Sequence, residues 1–351
     1  MIKLLHSADW HMDSPIQGRT PEQTQLLRQA LLRLPQQVAA AAMTQGCDLM
    51  LLSGDLFDGP ASPESITALR SALEEVRIPV FITPGNHDPL GSVWRSQVWP
   101  KNVHIFTGSA MESIVPEGLN CRIYGAAFTG PEAPGMLEGF RAQCDEQYAI
   151  GILHGDPTQA SSPYCPITAD QIASSNLDYL ALGHIHKGDS LRAGKTLCAW
   201  PGCPMGRGFD ELEEKGVLIV TLDGDVDAKF LPLDTPRFHD WECSAGKDVE
   251  AALSHMLPAT GNQDFYRITL TGESEAPELD TLQQKFSRFP NLSLRDHTVP
   301  PLDVWGSAGE DSLEGVYFDM LRQQLEEHPD TAQLAARISR QILEGLEVTL
   351  P

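Results

Sequence analysis

The chain has 351 residues, of which 41% are hydrophobic and 21% charged, and this balance excludes an intrinsically disordered protein. Its 25 Lys and Arg residues against 48 Asp and Glu residues give a net charge of −23, which excludes a protein whose whole surface attracts polyanions. If the substrate is nucleic acid, a local basic strip, bound cations or a partner must supply the attraction.

Apolar runs and helical periodicities alternate from the first residues onward. Residues 2–8 predict a strand, and residues 22–45 predict a helix because apolar residues recur there at helical spacing. A short strand at 48–53, a second helix at 63–76 and a third strand at 80–83 follow. Strand and helix in this alternation predict right-handed βαβ units and a largely buried parallel sheet.

Further apolar runs continue this layering as far as residue 222. They lie at 103–106, 122–124, 148–153, 179–182, 195–200 and 216–222. The last two flank a Gly-rich loop, residues 202–208, in which Arg207 either contacts a substrate phosphate or belongs to a simple flexible turn. We therefore predict one large α/β domain over residues 1–236.

The pattern changes after residue 236. A helix at 248–257 and an alternating strand at 265–271 predict a small α+β domain over residues 237–299. Residues 300–310 read as a linker. Two helices with apolar stripes then fill residues 311–351, and the stripes consist of Leu313, Val316, Tyr317, Met320 and Leu321 in the first helix and Leu334, Ile338, Ile342 and Leu346 in the second. Such stripes either pack on their own protein or dock a partner.

Several features predict a cytoplasmic protein with no membrane segment. No stretch approaches the roughly 20 apolar residues that a membrane span needs. The opening MIKLL turns polar at His6, too soon for the core of a signal peptide. The seven cysteines are scattered and include no CxxC pair, so we expect reduced thiols.

Five segments each place a metal ligand just after an apolar run. They are Asp9-x-His11, Gly54-Asp55-x-x-Asp58, Gly85-Asn86-His87-Asp88, His154-Gly155-Asp156 and Gly183-His184-x-His186. Sites of open α/β sheets form outside the carboxyl ends of strands, so ligands from distant segments converge there. Side chains at i and i+2 of an extended chain point the same way, so we expect the two i, i+2 pairs to project together.

The donor set predicts two divalent ions. Asp, Asn and His without thiolate suit Mn²⁺, Fe or Zn²⁺ better than Ca²⁺. Seven ligands exceed one ion's need but fit two ions roughly 3.5–4 Å apart that share Asp55 as a bridge. A water or hydroxide between the ions would then be the nucleophile for a phosphoester. The predicted ligands besides Asp55 are Asp9, His11 and His186 for one ion and Asn86, His154 and His184 for the other.

His87 and Asp58 are the predicted catalytic pair. His87 follows a predicted ligand, and neighbouring residues on an extended turn point apart, so we expect its imidazole to face the substrate. A cationic imidazole there stabilises phosphate charge or protonates the leaving oxygen. Asp58 would orient this ring and keep it protonated. His6, inside the first strand, is predicted to be a packed core residue.

The motifs DxH, GDxxD, GNHD, a lone His-Gly and GHxH, in this order, resemble those of the calcineurin-like metallophosphoesterase superfamily. HSADWHMDSP, LLSGDLFDG, PGNHDPL, WPKNVHIF, LHGD and YLALGHIHK are similar to the SbcD-type DNA-repair exonucleases, in particular their shorter YhaO-like branch. The resemblance is strong over about residues 1–235 and covers the rest only in layout. Protein phosphatases of the superfamily carry Arg and Glu where this chain has Gly59 and Asp88, which favours a phosphodiesterase.

The resemblance implies a four-layer α/β/β/α core, two Mn²⁺ ions, and a capping domain that helps to place DNA. It also implies an SMC-like coiled-coil ATPase partner, of SbcC or YhaN type, on the helices after the cap, and a homodimer formed through the core. Some relatives carry His in place of Asp58, a difference that changes only which residue assists His87.

We therefore expect a two-metal DNA exonuclease or endonuclease subunit that acts in repair. The alternative is a phosphodiesterase for small substrates such as cyclic nucleotides, which the acidic charge favours. A third class, a metal-binding scaffold without catalysis, is disfavoured because it has no need of His87.

Overall fold

The computed structural model of the protein describes residues 1–91, 93–212, 214–246 and 248–348. It divides into two units by its internal contacts, residues 1–239 with 263–265 and residues 240–262 with 266–351. The finer division that we predict, with boundaries after residues 236, 299 and 310, stays a prediction. The last three residues of the predicted C-terminal segment, 349–351, lie outside the described residues.

The first unit contains twelve strands and four helices among the residues that the structure describes. The strands are β1 (Ile2–Ser7), β2 (Leu49–Leu52), β3 (Val80–Ile82), β4 (Val103–Ile105), β5 (Glu112–Ile114), β6 (Cys121–Gly125), β7 (Tyr148–His154), β8 (Tyr179–Gly183), β9 (Lys187–Ala193), β10 (Thr196–Gly202), β11 (Gly216–Asp223) and β12 (Asp225–Pro232). The helices are α1 (Pro21–Thr44), α2 (Pro63–Val76), α3 (Val93–Ser96) and α4 (Ala169–Ser174).

These strands form two six-stranded sheets. One has the order β12-β11-β1-β2-β3-β4 and the other β5-β6-β7-β8-β10-β9. Strands β1 to β4 run parallel, with Leu4 opposite Leu49 and Met50 opposite Val80, and β6, β7, β8 and β10 run parallel in the second sheet. The predicted βαβ arrangement is therefore confirmed for β1 to β3, with α1 and α2 as the crossovers.

Three apolar clusters hold four layers together. Between the sheets, Leu4, Leu51 and Phe81 of the first sheet pack with Ile150 and Tyr179 of the second. The outer face of the first sheet packs against α1 and α2, and that of the second sheet packs around α4. The predicted four-layer α/β/β/α core is confirmed.

Local capping explains why the helix bounds follow the sequence so closely. The hydroxyl of Thr20 accepts the amide of Gln23, whose side chain in turn accepts the Thr20 amide, so α1 begins with a capping box. Ser62 caps α2, and Pro63 occupies its first turn, where no amide proton is needed.

The second unit centres on a three-stranded sheet. Its elements are β13 (Phe238–Ser244), α5 (Val249–Met256), β14 (Phe265–Thr271), α6 (Leu279–Lys285), β15 (Leu292–Asp296), α7 (Leu313–Gln323) and α8 (Pro329–Leu343), of which β13 and β14 begin in the first unit. The sheet order is β13-β14-β15, with β14 and β15 parallel. The predicted α+β character of this region agrees with these elements.

The C-terminal helices bury a different face from the predicted stripe. Helix α7 buries Gly315 and Phe318, and Phe318 packs with Val304 and Ala336. The segment predicted as a linker thus folds into turns that pack on α7 and α8. The stripe itself is largely open, because Leu313 is 90% and Met320 63% exposed. None of the helices in the described part of the chain is long and apolar enough to cross a bilayer.

Candidate active site

The loops after the parallel strands converge at one end of the first unit. The loop after β1 runs beside the loop after β2, since the Asp9 amide donates to the Gly54 carbonyl (3.0 Å) and the His11 amide to the Asp55 carbonyl (2.9 Å). The His184 amide, just after β8, donates to the Asp9 carboxylate (2.9 Å to Oδ1). The site is therefore assembled by hydrogen bonds from backbone amides, and the Asp9 carboxylate accepts the one that links the two sheets.

The backbone there is left-handed, not extended. Asp9, His11, Asp55 and His184 have φ values of 57°, 47°, 52° and 103°. The predicted extended alternation of the two i, i+2 pairs is therefore wrong, because β1 ends at Ser7 and β8 at Gly183. Such conformations cost about 1–2 kcal/mol per residue and persist where surrounding bonds hold them, typically at functional sites.

Two glycines permit the close approach of these loops. A Cβ on Gly85 would lie 2.1 Å from Asp55 Oδ1, and one on Gly183 would lie 2.1 Å from the Ser53 carbonyl oxygen. Any larger residue at either position would push the loops apart.

The first group of predicted ligands lies together. Atoms of Asp9, His11 and His186 that can bind a metal lie within 4.8 Å of one another. His11 Nε2 and His186 Nε2 are 3.0 Å apart. Asp9 and His11 are buried.

The second group meets at Asn86, and Asp55 lies between the groups. Asn86 Oδ1 is 2.9 Å from His154 Nε2 and 3.2 Å from His184 Nδ1. Asp55 Oδ2 is 3.3 Å from His154 Nε2 and 3.7 Å from His11 Nε2. The structure thus brings all seven predicted residues together in the predicted grouping, while their role as ligands stays a prediction.

The orientation of the histidine rings calls for a proton or a metal ion inside the cluster. His154 Nδ1 donates to the Ser53 carbonyl (2.9 Å), which can only accept. If the His154 ring is neutral, its Nε2 carries a lone pair that faces the oxygens of Asn86 and Asp55. Lone pairs on these atoms repel one another unless a proton or a metal ion lies between them. His11 Nδ1, buried, has no hydrogen-bond partner among the described residues. These donors could hold divalent ions.

The charges of this cluster are strongly coupled. Burial opposes the charged form of His154, but the carboxylates of Asp55 and Asp9 outweigh it and raise its pKa to about 9. Burial also opposes ionisation of Asp55, yet His154 and His11 hold the pKa of its carboxyl well below the usual range. Burial raises the pKa of Asp9 to about 6 and lowers that of His11 to about 3. Strong pKa shifts of both directions within one buried cluster mark a candidate functional site.

His87 and Asp58 form a solvent-accessible pair beside the donor cluster. His87 Nδ1 lies 2.8 Å from Asp58 Oδ1, and the His87 side chain is 45% exposed. The His87 amide donates to Asp55 Oδ1 (2.9 Å), which ties this loop to the predicted bridge. Partial burial opposes ionisation of Asp58, but hydrogen bonds from His87 and Ser14 outweigh it and lower the pKa of its carboxyl. The predicted pair is thus in contact and open to a substrate.

Comparison with known proteins agrees with this geometry. The calcineurin-like phosphoesterase family matches residues 2–188, more than half of the chain. The chain belongs to this family. A relative named uncharacterized metallophosphoesterase YhaO, from Bacillus subtilis (strain 168), is 31% identical over 97% of this chain and 94% of its own length. The resemblance drawn from the motifs is confirmed.

More distant similarities follow. The D component of the nuclease SbcCD from Staphylococcus epidermidis (strain ATCC 12228 / FDA PCI 1200) is 24% identical over 85% of this chain and 86% of its own length. Among solved structures, a dimetal phosphatase from Danio rerio is 13% identical, with a TM-score of 0.43, over 66% of this chain and 96% of that one.

Glu211 is a residue of this phosphoesterase that the sequence analysis missed. Its Oε1 accepts from His186 Nδ1 (2.7 Å) and from Arg207 Nη2 (2.6 Å). Burial opposes ionisation of Glu211, but His186 and Arg207 hold the pKa of its carboxyl well below the usual range. Because the proton of His186 is committed to Glu211, the neutral ring keeps its Nε2 lone pair toward His11. The only signal in the sequence is the Arg207-x-x-x-Glu211 spacing after the Gly-rich loop.

Asp88 holds two site loops together. Its carboxylate, fully buried, accepts four backbone amides, those of Gly85, Asp55, Leu56 and Phe57 (2.8–3.2 Å). Burial, together with the charge of Asp55, raises the pKa of Asp88 to about 8. The four amide donors oppose this rise, and their bonds hold the loop after β3 to the loop after β2.

His6 lies in the core, as predicted. Its ring contacts the Tyr179 hydroxyl (2.8 Å) and the Ser53 hydroxyl (2.6 Å). Burial lowers its pKa to about 3, so the ring is neutral. Since the Ser53 carbonyl holds His154, His6 supports the site indirectly.

Proposed function

We propose that this metallophosphoesterase is a Mn²⁺-dependent phosphodiesterase that cuts DNA and works with an ATPase partner in repair. The observation that carries the catalytic part is the solvent-accessible His87–Asp58 pair beside seven clustered donor side chains. Family membership alone supports a metal-dependent phosphoester hydrolase. The choice of metal, of DNA and of repair is the proposal.

The donor groups divide into two sites that share Asp55. Asp9, His11 and His186 would hold one ion, and Asn86, His154 and His184 the other. Two divalent ions, when bound, supply an activated water and neutralise charge on the phosphate.

His87 completes the reaction. Its Nδ1–H is donated to Asp58, which accepts only, so Nε2 is the atom available to substrate. In the imidazolium form, Nε2–H can bind a phosphate oxygen and then pass its proton to the leaving oxygen as the P–O bond breaks. The hydrogen bond from the His87 amide to Asp55 fixes the loop that carries this ring.

DNA as substrate is supported by the similarity to a component of the SbcCD nuclease. The net charge of −23 works against DNA binding at long range, so a partner or bound cations must help. The same charge favours the alternative, a phosphodiesterase for small substrates such as cyclic nucleotides. The two are separated by comparing kcat/KM for a linear duplex and for cyclic AMP with Mn²⁺. A higher value for cyclic AMP would overturn the DNA assignment.

The partner that we propose is an SMC-like coiled-coil ATPase, docked on α7 and α8. The open stripe on α7 supports this, because four apolar side chains share one exposed face, Leu313, Val316, Tyr317 and Met320. Loss of residues 311–347 should abolish ATPase binding and leave hydrolysis of a small ester unchanged. Binding that survives the deletion would refute this docking site. A homodimer formed through the core is a further part of the proposal and can be checked by light scattering.

A further inference from the structure

A cavity of about 280 Å³ lies next to the donor cluster. It opens where β9 and β10 of one sheet approach β11 and β12 of the other. His186 lines it together with Trp200, Cys203, Lys215 and Phe230. The cavity therefore shares one wall, His186, with the proposed metal centre.

Lys215 is the unusual member of this lining. It is only 7% exposed. Among the described residues, no carboxylate pairs with its ammonium group and no group accepts a hydrogen bond from it. Its stem is buried, whereas Nζ is not among the buried atoms, so the ammonium group keeps its contact with solvent. A cavity lined by such a cation is suited to an anion.

The acidic residues of the same lining are exposed, so water screens their charges. Glu214 pairs with Arg237 (3.0 Å). The Asp189 carboxylate accepts the Ser190 amide (2.7 Å). Lys215 therefore keeps a charge that an entering ligand can use.

The remaining walls suit a flat apolar group. Phe230 is 43% exposed although it is a large aromatic residue, and the buried Trp200 also lines the cavity. Bases stack on exposed aromatic rings at about 1–3 kcal/mol each. The volume lies just below the range of about 300–1,000 Å³ for small-molecule sites, so it fits one nucleotide and not a longer segment.

We propose that this cavity binds a nucleoside monophosphate, with its phosphate on Lys215 and its base against Phe230. The inference rests on the proposed function, since such a nucleotide is the unit that phosphodiester hydrolysis releases from DNA. The nucleotide is either free product or the phosphorylated end of a strand. In both cases the ligand borders the metal centre through His186.

The test is binding of dAMP to the full chain by calorimetry in buffer with EDTA, so that neither metal nor turnover contributes. Lys215→Met should weaken binding at least tenfold, and Lys215→Arg should restore most of it. Lys229→Met is the matched control, because Lys229 lies on β12 near this edge but is exposed. This variant should bind dAMP as tightly as wild type does. Since no described group pairs with the Lys215 ammonium, Lys215→Met should keep the melting temperature of wild type, which separates a lost site from a lost fold.

Two further arms make the result specific. A 5′-phosphorylated oligonucleotide that competes with dAMP identifies a strand end as the source, and failure to compete identifies free product. Equal dAMP binding by Lys215→Met, or none by wild type, would overturn the inference. Hydrolysis of bis-p-nitrophenyl phosphate, measured separately with Mn²⁺, shows whether the proposed function stands regardless of this outcome.

Discussion

Replacing Glu211 with Gln should weaken metal binding without touching any predicted ligand. Both carboxylate oxygens accept hydrogen bonds, Oε1 from His186 and Arg207, and Oε2 from the Arg207 amide (2.8 Å). A Gln side chain has one oxygen, so its NH₂ group must face a donor, and the negative charge that orients His186 is lost. Loss of a partner behind a metal-bound histidine typically costs 10–100-fold in affinity, which is about 1.4–2.7 kcal/mol.

The assay is a Mn²⁺ titration of wild type, Glu211→Gln and Glu214→Gln by calorimetry. Glu214 is the matched control, since it lies three residues away and pairs with Arg237. We expect one of two binding steps, the one that involves His186, to weaken in Glu211→Gln only. An affinity of Glu211→Gln within about twofold of wild type in both steps would refute the role given to Glu211.

Two further predictions concern turnover and pH. His87→Ala should lose turnover of bis-p-nitrophenyl phosphate and keep both metals, as measured by elemental analysis. Asp55→Ala should lose turnover and metal. Metal loss in His87→Ala would show that His87 is a ligand. Burial lowers the pKa of His6 in the folded protein to about 3. Between pH 6.5 and 3 the unfolded chain therefore binds a proton at His6 that the folded protein does not bind. Stability consequently falls as the pH falls through this range. From pH 7 to 5 this lowers the free energy of unfolding by about 2 kcal/mol. Urea unfolding should therefore show that His6→Gln loses less stability than wild type over that interval. An equal loss in both proteins would contradict a neutral, buried His6.

Residues next to buried strands were predictable from the sequence. The ligand candidates follow apolar runs, and strand ends meet in an α/β sheet whatever the details of the loops. Helix α2 was predicted with its observed bounds, and the structure shows that Ser62 caps its start. Strand β14 was predicted likewise because its residues alternate between buried and partly exposed.

Features without a hydrophobic pattern were not predictable. Strand β9 is an edge strand with mostly exposed residues, so no periodicity marks it. Glu211 lies in the loop between β10 and β11 and follows no apolar run, and only the fold brings it to His186. The left-handed backbone of Asp9 and Asp55 depends on hydrogen bonds between loops that are distant in sequence. On α7, the apolar stripe was visible, but which face is covered depends on where Val304 and Ala336 fold.

The most direct test of a metal-dependent DNA phosphodiesterase is cleavage of end-labelled linear DNA by the full chain with Mn²⁺, beside His87→Ala and a reaction with EDTA. We expect shortened DNA with wild type and Mn²⁺ only, and intact DNA with His87→Ala even though that variant keeps its metals. Cleavage by His87→Ala at the wild-type rate, or hydrolysis of bis-p-nitrophenyl phosphate with no cleavage of DNA when the ATPase partner is present, would contradict this function.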